Sequence, residues 1–330
     1  MIVTLKVDLQ LFSKIVRSLK AFEEVISPRA GRDADSSPPA ATPLRRRPRI
    51  GIALGGGFAR GMSHIGVLKV LEEEKLPIDY VAGTSVGAVI GAAFCGGLSA
   101  KEMAETAELV RFRDFARWTF SRFALCSNDR MQGFLERLLK VYSFEELGIP
   151  LAVAATDLAT GQGVVFRSGS LIDAVRASCA YPVMFLPVSL DGKLYVDGLL
   201  GYPVPAKPLR EMGAERVISV HLAASWVSGK GPRHVFDVLG QCFSIAQERM
   251  SPYWKQHTDI MIEPDVASFG YDEFQRAPEM IAIGEAATRR VLPRIRAWLE
   301  GTEPEPLPQE QPSVKAAGAS ALQAVRLTAK

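Results

Sequence analysis

"IDYVAGTSVGAVIGAAF", residues 78–94, runs from apolar and β-branched residues through a glycine, a serine and a second glycine into a segment of alanines and branched apolar residues. This reads as a short buried strand that turns at once into a helix. Ser85 stands at the turn. Gly83 and Gly87, two before and two after it, remove the side chains that would collide in so sharp a bend. Two readings of Ser85 stay open here: a nucleophile exposed at the carboxyl edge of a sheet, or a hydroxyl in a tight turn.

Outward from this stretch the same alternation repeats. "RIGIALGG" precedes a helical pattern from Gly61 to Glu74, "IDYVAG" precedes Val86 to Phe94, and "LAVAATDL" and "RVISVHL" are later strand-like runs. Short buried strands separated by helices predict an α/β protein with a mainly parallel sheet and helices on both faces. No internal repeat is visible. With 330 residues, 48% of them hydrophobic and 23% charged, the chain is able to bury the core of one large domain. A formal charge of +3, from 39 basic and 36 acidic residues, is too near balance to imply a nucleic-acid partner.

Cys95, Cys126, Cys179 and Cys242 are far apart and form no CxxC or Cys/His spacing, so neither a metal site nor a disulfide framework is expected. Apolar segments are broken by charge well short of the ~20 residues of a spanning helix, and no signal-peptide pattern opens the chain. The expected location is the cytoplasm.

Composition divides the chain into four parts. Residues 1–30 hold an alternating run, "VTLKVDLQL", and then Leu11, Phe12, Ile15, Val16, Leu19 and Phe22 at helical spacing, an amphipathic segment that either docks on the domain or lies on a membrane surface. Residues 31–47 read as a linker rich in Pro, Ser and Arg, its basic end a solvated charge run or a contact for anionic lipid. The domain is expected over 48–301, with a flexible tail over 302–330 that follows "GTEPEPLPQEQP".

A second glycine cluster, "GGGFARG" (Gly55, Gly56, Gly57, Phe58, Ala59, Arg60, Gly61), also follows a strand and opens a helix. As a dinucleotide fingerprint it fails, because Arg60 stands where the third glycine belongs, and no Gly-Lys-Ser/Thr makes it a P-loop. Its best use is an oxyanion hole, with an ordinary glycine turn as the alternative. A serine nucleophile needs a base. The histidines are His64, His221, His234 and His257, each of which has an ordinary structural or surface reading. The rival base is Asp197 in "LYVDGLL", at the end of a short apolar strand, where a partly dry pocket raises a carboxylate's proton affinity. Alternatively Asp197 and Gly198 make a turn joining two strands.

Taken together, these segments resemble the patatin-like phospholipases, in particular the bacterial branch similar to the catalytic domains of neuropathy target esterases. "GIALGGGFARGMSHIGVLKVLEE" is similar to that family's glycine-rich block, "GTSVG" to its G-x-S-x-G block and "VDGLL" to its D-G-[GA] block, in the same order. The resemblance implies a three-layer α/β/α fold related to the α/β-hydrolases. It also implies hydrolysis of phospholipid or lysophospholipid acyl esters by a Ser85–Asp197 dyad, without catalytic histidine, metal or other cofactor. On the same grounds the amides of Gly55, Gly56 and Gly57 are the expected oxyanion hole, and Arg60, Gly61, Gly83, Gly87 and Gly198 the supporting motif residues. Leu199 departs from the family's small residue after Asp-Gly, which bears on substrate shape. Alternatives are a soluble carboxylesterase or thioesterase with the same dyad, and a membrane-bound scaffold with a vestigial core.

From Leu109 to Leu125 the chain interleaves Phe112, Phe115, Trp118, Phe120 and Phe123 with Arg111, Arg113, Arg117 and Arg122, opposed by Asp114 alone. Aromatics beside arginines suit a lid or a membrane-contact face. The competing expectation is a helix that packs its aromatics into the core.

Overall fold

The computed structural model describes residues 46–119, 121–223 and 235–302. The expected N-terminal amphipathic segment, most of the linker and nearly all of the tail lie outside the described residues. In chain order the elements are β1 (Ile50–Leu54), α1 (Met62–Glu73), β2 (Tyr80–Thr84), α2 (Val86–Cys95), α3 (Ala100–Leu109), the one-turn α4 (Phe112–Phe115), β3 (Arg117–Trp118), β4 (Cys126–Ser127) and α5 (Asp129–Leu138). There follow β5 (Leu151–Asp157), β6 (Gly163–Phe166), α6 (Leu171–Ser178), β7 (Val188–Leu190), β8 (Lys193–Asp197), α7 (Ala206–Met212), β9 (Arg216–Val220), α8 (Val235–Lys255), β10 (Ile260–Ile262) and α9 (Ala277–Glu300).

The main sheet has eight strands in the order β10-β9-β1-β2-β5-β8-β7, with β6 added to β5. From β10 to β5 every pairing is parallel, whereas β6, β7 and β8 pair antiparallel, so the expectation of a mainly parallel sheet holds and an antiparallel corner is added to it. The central strands sort their side chains by size. Ile50, Ile52 and Leu54 of β1, Val81 of β2 and Leu151 and Val153 of β5 join one core with residues of α1, α2 and α9. On the opposite face Ala53, Ala82 and Ala152 meet Leu209 of α7 and Trp254 of α8. Strict alternation on strands buried from both sides gives each face its own helix layer.

One strand exchange positions the site. On one edge of β5, residues Leu151 to Ala154 pair with β2, ending at Thr84 opposite Ala154. On the other edge Val153 to Thr156 pair with β6. β8 pairs with Ala155, Thr156 and Asp157, so it must take the β2 edge, and its last residue, Asp197, lies opposite Ala155. The end of β2 and the end of β8 therefore arrive from opposite directions at neighbouring positions of one edge. Helices α1 and α9 cross so closely that a methyl on Gly66 would run into the Ile281 carbonyl, and one on Gly284 into the Ser63 carbonyl.

At the basic end of the linker the described arginines, Arg46 and Arg47, are paired. Arg46 pairs with Glu215 at 2.8 Å, and Arg47 donates to both carboxylate oxygens of Asp79 at 2.7 and 2.9 Å. Asp79 also accepts the Ile50 amide and Glu215 the Arg49 amide, so two acidic residues gather the chain as it enters β1.

Candidate active site

Ser85 is the residue between β2 and α2, and its backbone shows why the flanking residues are glycines. Its φ is 54° and ψ −123°, a conformation that costs a non-glycine residue about 1–3 kcal/mol. A methyl on Gly83 would strike the Gly87 carbonyl and Ala88, and one on Gly87 would strike the Leu54 carbonyl. The turn is held from within and without: the Ser85 carbonyl accepts from Ala88 N at 2.8 Å and Val89 N at 3.1 Å, while its own amide donates to Ser178 Oγ at 2.8 Å.

Asp197 is fully buried at the end of β8. Its two carboxyl oxygens have different surroundings. Oδ1 accepts the Leu199 amide at 3.0 Å, capping a 3₁₀ turn over Gly198–Leu200, whereas Oδ2 is buried and makes no hydrogen bond among the described residues. Burial pushes the Asp197 carboxyl up to about 7, a rise held back by the adjacent Ser85 hydroxyl and the Leu199 amide. Asp197-Gly198 thus ends a strand in a 3₁₀ turn rather than joining two strands of a hairpin. Gly198 is required there because a methyl would meet the Ala154 carbonyl. Leu199 is itself buried and contributes its amide as well as its side chain.

The three glycines of the loop after β1 are not equivalent. Gly55 N donates to Val220 O at 3.1 Å and Gly56 N to Pro203 O at 3.3 Å. Gly57 N makes no hydrogen bond among the described residues, and Gly57 opens the 3₁₀ turn Phe58–Gly61. The expectation of three available amides therefore narrows to one. Arg60, in that same turn, is buried, and burial lowers its proton affinity. A methyl on Gly61 would overlap Val86, so this glycine lets the loop close over the start of α2.

Two pockets meet at Ser85. One, of about 30 Å³, is a cleft lined by Gly56, Gly57, Arg60, Tyr181, Asp197 and Leu199 among others. The second, of about 100 Å³, is an apolar chamber running between α2, α3 and α5, with Val89, Met103, Phe115, Met131 and Phe185 in its wall. Ser85 and Phe58 line both. Sequence reasoning did not single out Ser178 and Tyr181, although "ASCAYPVMF", in which they lie, resembles a segment of the patatin-like phospholipases. Tyr181 stacks edge-on against Phe58 with ring centroids 4.8 Å apart, and burial followed by the nearby Asp197 charge raises its phenol above the ordinary range.

The described histidines line neither pocket. His64 is fully buried in α1 and its Nε2 lies 2.8 Å from Gly55 O; burial lowers its pKa to about 4, so the ring is neutral and Nε2–H donates. It fixes the glycine loop. His221 Nδ1 sits 3.1 Å from Glu263, and neither His221 nor His257 lines either pocket. His234 lies outside the described residues. Cys95, Cys126 and Cys179 are buried thiols and Cys242 is exposed. Among the described residues no group of three His, Cys, Asp or Glu side chains is placed to hold a metal ion.

The aromatic stretch divides into buried and exposed side chains. Phe112 and Phe115 pack inward, and Phe115 lines the apolar chamber. After α4 the chain leaves the helix and forms the antiparallel ribbon β3–β4, in which Trp118 faces Cys126. Leu109, Trp118 and Phe123 are 76%, 71% and 66% exposed, and the Arg122 guanidinium lies 4.9 Å from the centre of the Phe123 ring. Phe120 lies outside the described residues. No helix among the described residues is long and apolar enough to cross a membrane.

Comparison with known proteins gives concordant matches. Residues 52–210 match the family model described as patatin-like phospholipase. The chain is 35% identical over 194 residues to an uncharacterized NTE family protein of Mycobacterium tuberculosis, covering 57% of this chain and 54% of that protein. It is 33% identical over 216 residues to patatin-like phospholipase domain-containing protein 6 of Homo sapiens, covering 62% of this chain and 15% of that protein. The chain thus spans about half the length of the mycobacterial relative and less of the human one. Among solved structures, VipD from Legionella pneumophila is 14% identical with a TM-score of 0.48, covering 77% of this chain and 67% of that chain.

Proposed function

We propose that this chain, a member of the patatin-like phospholipase family through its residues 52–210, hydrolyses fatty-acyl esters of phospholipids or lysophospholipids with Ser85 as nucleophile and Asp197 as base. Its patatin fold, a mostly parallel mixed sheet with helices on both sides, carries both residues on one edge of β5. The observation that carries the reading is the position of Ser85 at the junction of a cleft holding a buried carboxyl and an apolar chamber. A hydrocarbon chain fits the second, and proton transfer belongs to the first.

Asp197 Oδ2 accepts the proton of Ser85 Oγ as that oxygen bonds to the ester carbonyl carbon. The negative charge that develops on the carbonyl oxygen is met by the Gly57 amide, which has no internal acceptor among the described residues, beside the amino end of α2. Asp197 passes the proton to the departing alcohol, which leaves an acyl-serine. Water then gives a proton to Asp197 and its oxygen to the acyl carbon; the proton returns to Ser85 as the fatty acid leaves. Each step uses the same oxygen, which is why an Oδ2 free of other bonds matters. The lipid arrives by peripheral contact of a cytoplasmic enzyme with a membrane, through Trp118 and Phe123 on the β3–β4 ribbon and the arginines beside them.

Ser85→Ala and Asp197→Asn are each expected to lower turnover of p-nitrophenyl butyrate by at least about a thousandfold in folded protein. A fluorophosphonate is expected to label Ser85 in the unmodified chain. Retained turnover in either variant would falsify the dyad, and absence of labelling favours the scaffold reading.

A further inference from the structure

The apolar chamber at Ser85 has a definite far end. Thr106 and Val110, one turn apart at the end of α3, and Phe134 and Leu138, one turn apart on α5, line the chamber and at the same time line a separate outer groove of about 660 Å³. Side chains four residues apart on a helix stand one above the other, so two such pairs on facing helices make a wall. The two sides of that wall differ. Towards Ser85 the chamber is walled by Met103, Phe115 and Met131, whereas the groove adds Glu102, Glu105, Asp114, Arg137 and Lys140 to the apolar Leu98 and Leu109. Thr106 spends its hydroxyl on the Glu102 carbonyl at 2.9 Å, so no unsatisfied polar group is turned on a hydrocarbon there. Phe134 is the largest of the four, half-buried, with its ring 5.8 Å from that of Phe115.

We infer that this four-residue partition limits the acyl chain that Ser85 accepts, and that Phe134 is the residue that sets the limit. The inference rests on the acyl-hydrolase reading above. A chain that fits the chamber ends against Phe134; a longer one must push the ring aside and enter a more open groove that carries charged side chains, which reduces the gain from burying its last methylenes. Length selection of this kind acts through binding of the chain and not through the dyad, so it is read as a ratio of substrates.

The test compares kcat/KM for p-nitrophenyl palmitate and p-nitrophenyl butyrate in mixed micelles. Phe134→Ala joins chamber to groove and is expected to raise the palmitate-to-butyrate ratio about tenfold; Phe134→Trp is expected to lower it by a similar factor. Phe134→Leu, a milder truncation, is expected to raise the ratio a few-fold if the alanine variant folds poorly. A ratio unchanged in folded variants, or rates that move in parallel for both esters, overturns the gate while leaving the hydrolase intact. A wild-type chain that turns over neither ester overturns the hydrolase reading and the gate with it.

Discussion

The two carboxyl oxygens of Asp197 differ: Oδ1 is part of the architecture, a cap on the turn that follows β8, and Oδ2, without a hydrogen bond among the described residues, is the one the proposed dyad uses. A carboxyl raised to about 7 by burial is mostly protonated below neutrality, so kcat/KM is expected to fall about tenfold per pH unit below pH 7, with a midpoint near 7 in the free enzyme. His64, neutral down to about pH 4, adds no step to that profile. The same shift has a consequence for stability. The native carboxyl holds its proton more tightly than the unfolded one, so stability is greatest below the unfolded value near 3.8 and declines as pH rises through about 7. The loss is up to about 4 kcal/mol. Asp197→Asn, which keeps the cap acceptor without the charge, is expected to melt higher than the wild type at pH 8 and level with it at pH 4, as measured by calorimetry. The sharp turns at Ser85 and Asp197 were legible in the sequence because glycine spacing marks both. The sequence did not single out Ser178 or Tyr181, which matter through contacts made across the fold.

The turn between β2 and α2 stores strain at Ser85 and is surrounded by backbone on every side. Gly87→Ala places a methyl against the Leu54 and Gly55 carbonyls, which cannot rotate away, and is expected to cost at least about 2 kcal/mol in urea unfolding. Ser178→Ala removes only the acceptor of the Ser85 amide. It is expected to lower kcat about tenfold with little change in KM, since the orientation of the nucleophile is altered while the chamber is not. The strand-to-helix units were legible at this scale from runs such as "IDYVAG", because each is a local pattern. The exchange of β2 for β8 along one edge of β5 was not legible, since a pairing between distant segments leaves no periodicity in either. The stretch from 109 to 125 does not form one element: Phe112 and Phe115 belong to a helical turn, with Phe115 in the chamber wall, and Trp118 to an exposed ribbon.

Across the whole molecule, Trp118 and Phe123, at and beside the β3–β4 ribbon, are among the most exposed large apolar side chains of the described residues. Replacing Trp118 and Phe123 together by serine is expected to reduce sedimentation with anionic liposomes at least about tenfold while leaving the melting temperature unchanged, as both side chains are already in water. The placement of β1 has a further effect, on how the chain is made. β1 lies between β2 and β9, and β9 is supplied by Arg216–Val220, beyond the last residue of the family match. A nascent chain that has emerged only as far as Arg210 carries β1 as an open edge, and Gly55 lacks the Val220 carbonyl that holds its amide. A protein stopped there is expected to pellet on centrifugation where the full-length chain stays in solution. The turn at Ser85 is therefore synthesised early but framed late, and under the proposed mechanism a partly made chain has no completed cleft with which to attack an ester.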